Sequence, residues 1–283
     1  MKLQRFQNAD GSIIPAASMD GETWHGLETI CDDISPDAFA EGLMDRLASL
    51  DINALEKLDT AGLSIATPVA QPRNIWCIGL NYSDHAEEAG LPIPEEPILF
   101  SKSSATFCEA NADIPYPPHM TKLDWEVELA LVIGKTALCV SMEDALDYVA
   151  GYTLANDVSE RAWQIERGGQ WVKGKSFPNF CPTGPMLVTP DEIADVQDLD
   201  MWLDVNGTRK QTGNTSKMIF DVRTIIHHVS QFVQLEPGDL ILTGTPPGVG
   251  MGFKPPQYLK PGDVVELGIT GLGQQRQTVV DWD

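Results

Sequence analysis

The run Asp124-Trp125-Glu126-Val127-Glu128-Leu129-Ala130-Leu131-Val132-Ile133-Gly134 constrains the chain more than any other stretch. Its branched apolar residues carry no helical period and stop at a glycine, so it reads as a buried β-strand. Side chains alternate across a strand, which puts Glu126 and Glu128 on the same face. Two adjacent carboxylates on an apolar strand repel each other and lose hydration. Either one of them takes up a proton or a cation sits between them. Carboxylate oxygens suit a hard divalent ion such as Mg²⁺ or Mn²⁺. The plainer alternative is the polar face of an edge strand turned to water.

Size and charge narrow what such a strand can serve. The chain has 283 residues, 42% of them hydrophobic, enough for one large domain or a large domain with a smaller one attached. Its 19 basic residues against 41 acidic ones give a net charge of −22. That surface repels phosphate backbones and anionic membranes, so neither nucleic acid nor membrane is an expected partner. A small anionic substrate would need a local positive site. The first residues contain no apolar core of signal-peptide length, and no run approaches the length of a membrane span. Cys31, Cys77, Cys108, Cys139 and Cys181 are scattered and odd in number, as expected of free thiols in a cytoplasmic protein.

The Pro-punctuated stretch Ala66-Thr67-Pro68-Val69-Ala70-Gln71-Pro72 divides a small N-terminal domain, 1–70, from a catalytic domain, 71–283. In the first, a strand is expected near Lys2–Phe6. A helix from Pro36 to about Leu50, started at Ser35, would carry Phe39, Leu43, Leu47 and Leu50 on its apolar face. Nothing before residue 71 carries recognisable chemistry.

The second part opens with the strand Ile75–Gly79, which feeds Leu80-Asn81-Tyr82-Ser83-Asp84-His85-Ala86-Glu87-Glu88. A short helix capped by Ser83 or Asp84 would set His85 and Glu88 on one face. A carboxylate beside an imidazole raises its basicity and fixes its tautomer, which makes a water-activating base. Taken alone, a His at a helix start is also an ordinary surface residue. Pro92 and Pro94 keep the helix short, at the edge of a loop where a mobile lid is found. Lys102 ends the next strand, and Ile114–His119 reads as an extended loop.

Beyond the diacid strand, Ser141-Met142-Glu143-Asp144 resembles a capping box opening a helix Met142–Ala150. The strand Gly151–Asn156 delivers Asp157 to a strand-to-helix junction, where it is a natural third oxygen ligand. Ser159 can cap a helix through Glu166, with Arg161 and Gln164 on one face. A cation in a first turn opposes the helix dipole, so Arg161 points to a bound anion. Gly174 permits close backbone approach. Lys175, directed at the carboxylates, would stay charged and hold an oxyanion, though alone it also reads as a solvated surface lysine.

Pro185–Val188 reads as a strand and Asn206-Gly207 as a hairpin turn. Asp221 caps a helix with Val222, Ile225, Ile226, Val229 and Phe232 on its apolar face. His227 and His228 are sequence neighbours and make a poor metal pair. The loop Gly244–Gly250 frees backbone N–H groups, and Thr245 adds a hydroxyl, which together can hold a carboxylate.

The order Gly79-Leu80-Asn81-Tyr82-x-x-His85-x-x-Glu88, Phe100-x-Lys102-x-Ser104, Asp124-Trp125-Glu126-x-Glu128, Asn156-Asp157-Val158, Gly174-Lys175-Ser176-Phe177 and Thr243-Gly244-Thr245-Pro246-x-Gly248-Val249-Gly250 resembles the fumarylacetoacetate hydrolase family, over roughly residues 72–280. The resemblance implies an α+β, predominantly β fold: layered mixed sheets, a β-sandwich roll, with short helices. It implies a homodimer or higher homo-oligomer with one Mg²⁺ or Mn²⁺ per subunit, and Glu126, Glu128 and Asp157 as metal ligands. His85 and Glu88 match a water-activating pair on a lid, with Lys175 the third catalytic group. Arg161, Gln164, Thr245, Tyr82 and Lys102 match substrate-binding positions. The sequence departs from the family after Gly-Lys-Ser-Phe, where many relatives have Asp and this chain has Pro178-Asn179.

The implied chemistry is hydrolytic cleavage of the C–C bond of a small anionic 2,4-diketo acid. Its carboxylate and adjacent keto oxygen can chelate the ion, while His85 activates water toward the distal carbonyl. Pyruvate and a second carboxylic acid result, and hydrolases of 2,4-diketo-3-deoxy-L-rhamnonate or -fuconate are the nearest type. Two alternatives stand beside this. A decarboxylase or isomerase can use the same metal-enolate site without water, and a keto-acid binding protein needs no turnover at all.

Overall fold

In the computed structural model, which describes residues 1–90 and 92–282, the central strand runs Val127–Ile133 and all of it is buried. Val127, Leu129, Leu131 and Ile133 enter one apolar cluster, while Ala130 and Val132 enter another. An uninterrupted apolar run needs this two-sided cover. The strand pairs antiparallel with Val149–Asn156 on one side and Leu240–Leu242 on the other. The sheet continues through Ile75–Gly79 to Ile98–Lys102 in one direction. In the other it passes through Leu187–Val188 to Lys2–Gln7, Ile13–Ser18 and His25–Gly26.

A second sheet, ordered Thr208–Asn214, Asp200–Val205, Val264–Ile269, Gly273–Asp281 and Ile114–Tyr116, lies against one face. Leu203, Val265 and Leu267 from it share a cluster with Leu129 and Leu131. The opposite face is covered by the helices Pro36–Ala40 and Leu43–Ala48, whose Phe39, Leu43 and Leu47 share a cluster with Ala130 and Val132. The fold is therefore predominantly β, layered and mixed, with short helices, as expected. Burial at about 1.5–3 kcal/mol for each large apolar side chain fixes the strand firmly enough to hold the carboxylates at its start in spite of their repulsion.

Residues 1–70 supply strands to the far end of the large sheet and helices to the second cluster. Arg5, within the strand Lys2–Gln7, closes this region on itself. Its guanidinium meets both oxygens of Asp33, at 2.6 and 2.9 Å, and the Thr67 hydroxyl at 2.8 Å. Among the described residues no helix is long and apolar enough to cross a membrane. The end of the expected second domain, residue 283, lies outside the described residues.

Several local expectations are corrected. The helix expected from Pro36 to Leu50 breaks at Gly42, whose φ of +79° starts a second helix. Ser141 and Asp144 do exchange their capping hydrogen bonds, at 2.7 and 3.1 Å, yet only the 3₁₀ turn Ala145–Tyr148 follows. Val149 already pairs with Ile133, and sheet pairing takes the residues the helix would have used. Neither Ser83 nor Asp84 caps the helix Ser83–Ala89, whose N-cap position is Tyr82. Ser159 also caps nothing: Ser159–Glu160 pairs with Leu123–Asp124, and the helix is Arg161–Ile165. Pro185–Val188 shortens to Leu187–Val188, and the extended loop contains the strand Ile114–Tyr116. Phe232 lies beyond the helix Val222–Ser230 and is 66% exposed.

Candidate active site

The expected strand start is interrupted. Leu123–Asp124 pairs with Ser159–Glu160, and the central strand begins only at Val127, with Trp125 and Glu126 between them. Glu126 stays in register all the same. Its N–H donates to Asn156 Oδ1 at 3.1 Å, and its carbonyl accepts the Asp157 N–H at 2.9 Å. Glu126 and Glu128 therefore share a face, and Asp157, one residue past the neighbouring strand, joins them. One oxygen of each lies within 4.8 Å of the others, and all three residues are buried.

Three buried cations surround this cluster. Lys175 Nζ donates to Glu126 Oε2 at 2.7 Å and to Asp157 Oδ2 at 2.6 Å. Lys102 Nζ donates to Asp157 Oδ1 and to the Val158 carbonyl. Arg161 donates from Nη2 to Glu126 at 2.6 Å, from Nε to Asp124 at 2.8 Å and from Nη1 to Gln164 Oε1 at 3.0 Å. The helix Val172–Lys175 reaches this place because Gly174 lies against the helix Arg161–Ile165. A Cβ there would collide with the Glu160 carbonyl and stand 2.5 Å from the Gln164 nitrogen.

The carboxylates are held unequally. Burial disfavours the charge on Glu126, but Lys175 and Arg161 outweigh it and keep its carboxyl below the usual range. Glu128 is pushed well above that range by burial, and by repulsion from Asp157 and Glu126. Its Oε2 accepts the Gly244 N–H at 2.8 Å, with no cationic partner among the described residues. Burial works against the Lys175 ammonium, but Asp157 and Glu126 prevail and raise its pKa, so it stays charged.

Above the cluster, His85 Nδ1 lies 3.1 Å from Glu88 Oε2, and this hydrogen bond lowers the Glu88 pKa. Both groups line a cavity of about 660 Å³, together with Glu126, Glu128, Arg161, Gln164, Lys175 and Thr245. Phe100 and Trp171, in edge contact at 5.1 Å, form part of its apolar wall.

Two expected substrate contacts do not reach this cavity. The Tyr82 hydroxyl is buried against Met201 Sδ at 3.1 Å, and Lys102 is spent on Asp157 and Val158. The anion inferred for Arg161 is the protein's own, supplied by Asp124 and Glu126. The glycine-rich loop likewise directs its N–H groups at internal carboxylates: Gly244 at Glu128, Gly248 at Glu88, Gly250 at Asp124. Thr245 Oγ1 donates to the Val127 carbonyl at 2.9 Å. Asp124 was not singled out by sequence reasoning as a site residue. Only its place in the motif with Glu126 and Glu128 signals it, because its partners lie far along the chain.

The donor set suits a hard divalent cation. It has three carboxylates, with neither thiol nor imidazole among them, and among the described residues Glu128 has no direct ion-pair partner. The residues present therefore fit such an ion.

A buried carboxylate cluster beside one cavity, with a carboxylate-oriented imidazole on the cavity wall, is the site of an enzyme, carried here on a layered β-fold. Residues 74–280 match the family described as Fumarylacetoacetate (FAA) hydrolase C-terminal. The chain belongs to the fumarylacetoacetate hydrolase family. A protein of Sphingomonas sp. (strain SKA58) named 2,4-didehydro-3-deoxy-L-rhamnonate hydrolase is 52% identical over 249 residues, covering 85% of this chain and 87% of that one. The solved structure of a fumarylacetoacetate hydrolase from psychrophilic Exiguobacterium antarcticum superposes with a TM-score of 0.86 at 35% identity, covering 100% of both chains. Maleylpyruvate hydrolase from Sphingobium sp. SYK-6, solved in complex with manganese(II) ion and pyruvate, gives 0.80 at 27% identity, also covering 100% of both.

Proposed function

We propose that the protein hydrolyses the C–C bond of a 2,4-diketo acid of the acylpyruvate type, releasing pyruvate and a second carboxylic acid. The observation that carries this reading is one cavity lined by His85, Glu88, Glu126 and Glu128, with Asp157 buried beside the two glutamates. Glu126, Glu128 and Asp157 would hold Mg²⁺ or Mn²⁺. When bound, such an ion supplies Lewis-acid stabilisation of negative charge developing on carbonyl oxygen.

The side chains have definable tasks. The Glu88 carboxylate accepts from His85 Nδ1, so the ring proton sits there and Nε2 is free to take a proton from water. The resulting hydroxide adds to the C4 carbonyl. The C3–C4 bond then breaks with its electron pair moving to C3, giving the enolate of pyruvate and the acid R–COOH. The proton that His85 took from water passes to C3, which completes pyruvate and restores the neutral imidazole. Lys175 has spent two of its three N–H donors on Glu126 and Asp157, and the third can meet the enolate oxygen. Arg161 retains N–H groups, and Gln164 an NH₂, for the carboxylate end of the substrate.

The relative named for 2,4-didehydro-3-deoxy-L-rhamnonate supports a 2,4-diketo-3-deoxy sugar acid, of rhamnonate or fuconate type, as the substrate. The family resemblance supports a homodimer or higher homo-oligomer, which sedimentation would measure. The deciding assay is pyruvate release from a panel of 2,4-diketo acids, with Mg²⁺ or Mn²⁺ and with chelator. Metal-dependent pyruvate is the expected result. Carbon dioxide from oxaloacetate, with no pyruvate from any acylpyruvate, would overturn hydrolysis in favour of decarboxylation.

A further inference from the structure

The short helix Ser83–Ala89 carries the proposed base, and something must hold its Glu88 still. Among the described residues, the polar partners of the Glu88 carboxylate are His85 and one group outside the helix, the Gly248 N–H, 3.2 Å from both oxygens. Gly252 packs on the same carboxylate. A Cβ there would lie 3.0 Å from Glu88 Oε2 and Cδ, and the backbone is not in the left-handed region. The segment 248–252 is thus the seat of Glu88.

That segment is itself fastened by Asp124 and its neighbour Trp125, and by the Gln257 N–H, which donates to the Gly250 carbonyl at 2.9 Å. Asp124 Oδ1 accepts the Gly250 N–H at 2.6 Å and Oδ2 accepts the Met251 N–H at 3.0 Å. The adjacent Trp125 Nε1 donates to the Gly248 carbonyl at 3.0 Å. With Arg161 Nε and the Trp125 N–H also donating, a fully buried carboxylate has four donors, and its desolvation is offset. A Cβ on Gly250 would stand 2.7 Å from Asp124 Oδ1, so glycine is needed for this approach.

We propose that Asp124 is a positioning residue for the His85–Glu88 pair, acting through the backbone of Gly248–Gly252. The same carboxylate binds Arg161, which binds Glu126. Asp124 therefore sets the distance between the base and the carboxylate cluster, two groups that must address the same substrate. The inference rests on His85 being the base of the proposed reaction.

The test measures kcat and KM for pyruvate release by wild type, Asp124→Asn, Gly252→Ala, Glu88→Gln and the double variant Asp124→Asn/Glu88→Gln, with a thermal melt of each. Gly252→Ala disturbs the Glu88 seat without touching Asp124 or Arg161, so it reports even where Asp124→Asn fails to fold. Asp124→Asn and Gly252→Ala are each expected to lower kcat on the order of 10–100-fold with little change in KM. The losses from Asp124→Asn and Glu88→Gln should be strongly non-additive, which a purely structural role of Asp124 does not produce. Wild-type kcat in Gly252→Ala, or additive losses in the double variant, would overturn the inference. A His85→Ala variant with full turnover would instead remove the reading beneath it.

Discussion

At the scale of single residues, each site group has a partner that states its task, and the partners predict which substitutions strike chemistry. His85→Ala removes the proton acceptor and leaves the carboxylate cluster intact. Turnover should fall on the order of 10²–10⁴-fold, with binding of Mn²⁺ and of pyruvate retained by calorimetry. Unchanged turnover would place the base elsewhere. Lys102 behaves differently, since its ammonium faces Asp157 and Val158 and not the cavity. Lys102→Met leaves a buried carboxylate short of a cation. It should cost about 3–5 kcal/mol of stability in urea unfolding, while KM stays close to wild type. A large rise in KM without loss of stability would restore Lys102 as a substrate contact. The residue types and spacing made Glu126, Glu128, Asp157, His85 and Glu88 legible from sequence, because strand alternation and helix spacing are local rules. What Tyr82, Lys102 and Asp124 touch was not legible, because it depends on residues such as Met201, Asp157 and Gly250, far along the chain.

At the scale of elements, the site depends on two short helices stacked through one glycine. The helices Arg161–Ile165 and Val172–Lys175 carry Arg161 and Lys175, and neither has the length to be stable alone. Gly174→Ala would force them apart at Glu160 and Gln164, moving both cations off the carboxylates. Activity should drop at least tenfold, as expected for misplacement near 1 Å. The melting temperature should fall as well, because buried charges lose their partners. Retention of wild-type activity would show that the backbone absorbs the extra carbon without moving Lys175. The strands were legible where one chain segment decides: Ile75–Gly79, Gly151–Asn156 and the Asn206-Gly207 hairpin all follow local pattern. The helix expected over Met142–Ala150 was not, although its capping bonds form. Pairing of Val149–Asn156 with Val127–Ile133 is a long-range contact, and no local signal at Ser141 reports it.

At the scale of the molecule, net charge and site charge act on a bound cation in separable ways. The whole chain carries −22, so any salt reduces its self-repulsion and raises stability somewhat. The site adds a local demand. Asp124, Glu126, Glu128 and Asp157 face Lys102, Lys175 and Arg161, so four acids meet three bases, and among the described residues Glu128 is the one without a cationic partner. A divalent ion held there binds the folded chain and not the unfolded one. At a hundredfold excess over its Kd it should stabilise by about 2.7 kcal/mol. For a chain of this size that is a rise in Tm of several degrees. The control is sodium chloride at matched ionic strength, which screens the surface and leaves the site empty of divalent charge. Mg²⁺ or Mn²⁺ should raise Tm beyond that control, chelator should reverse the gain, and Glu128→Gln should abolish it while leaving the sodium chloride effect intact. Equal gains from sodium chloride and from Mg²⁺ or Mn²⁺, in both wild type and Glu128→Gln, would reduce the cation effect to surface screening and remove the metal from the site.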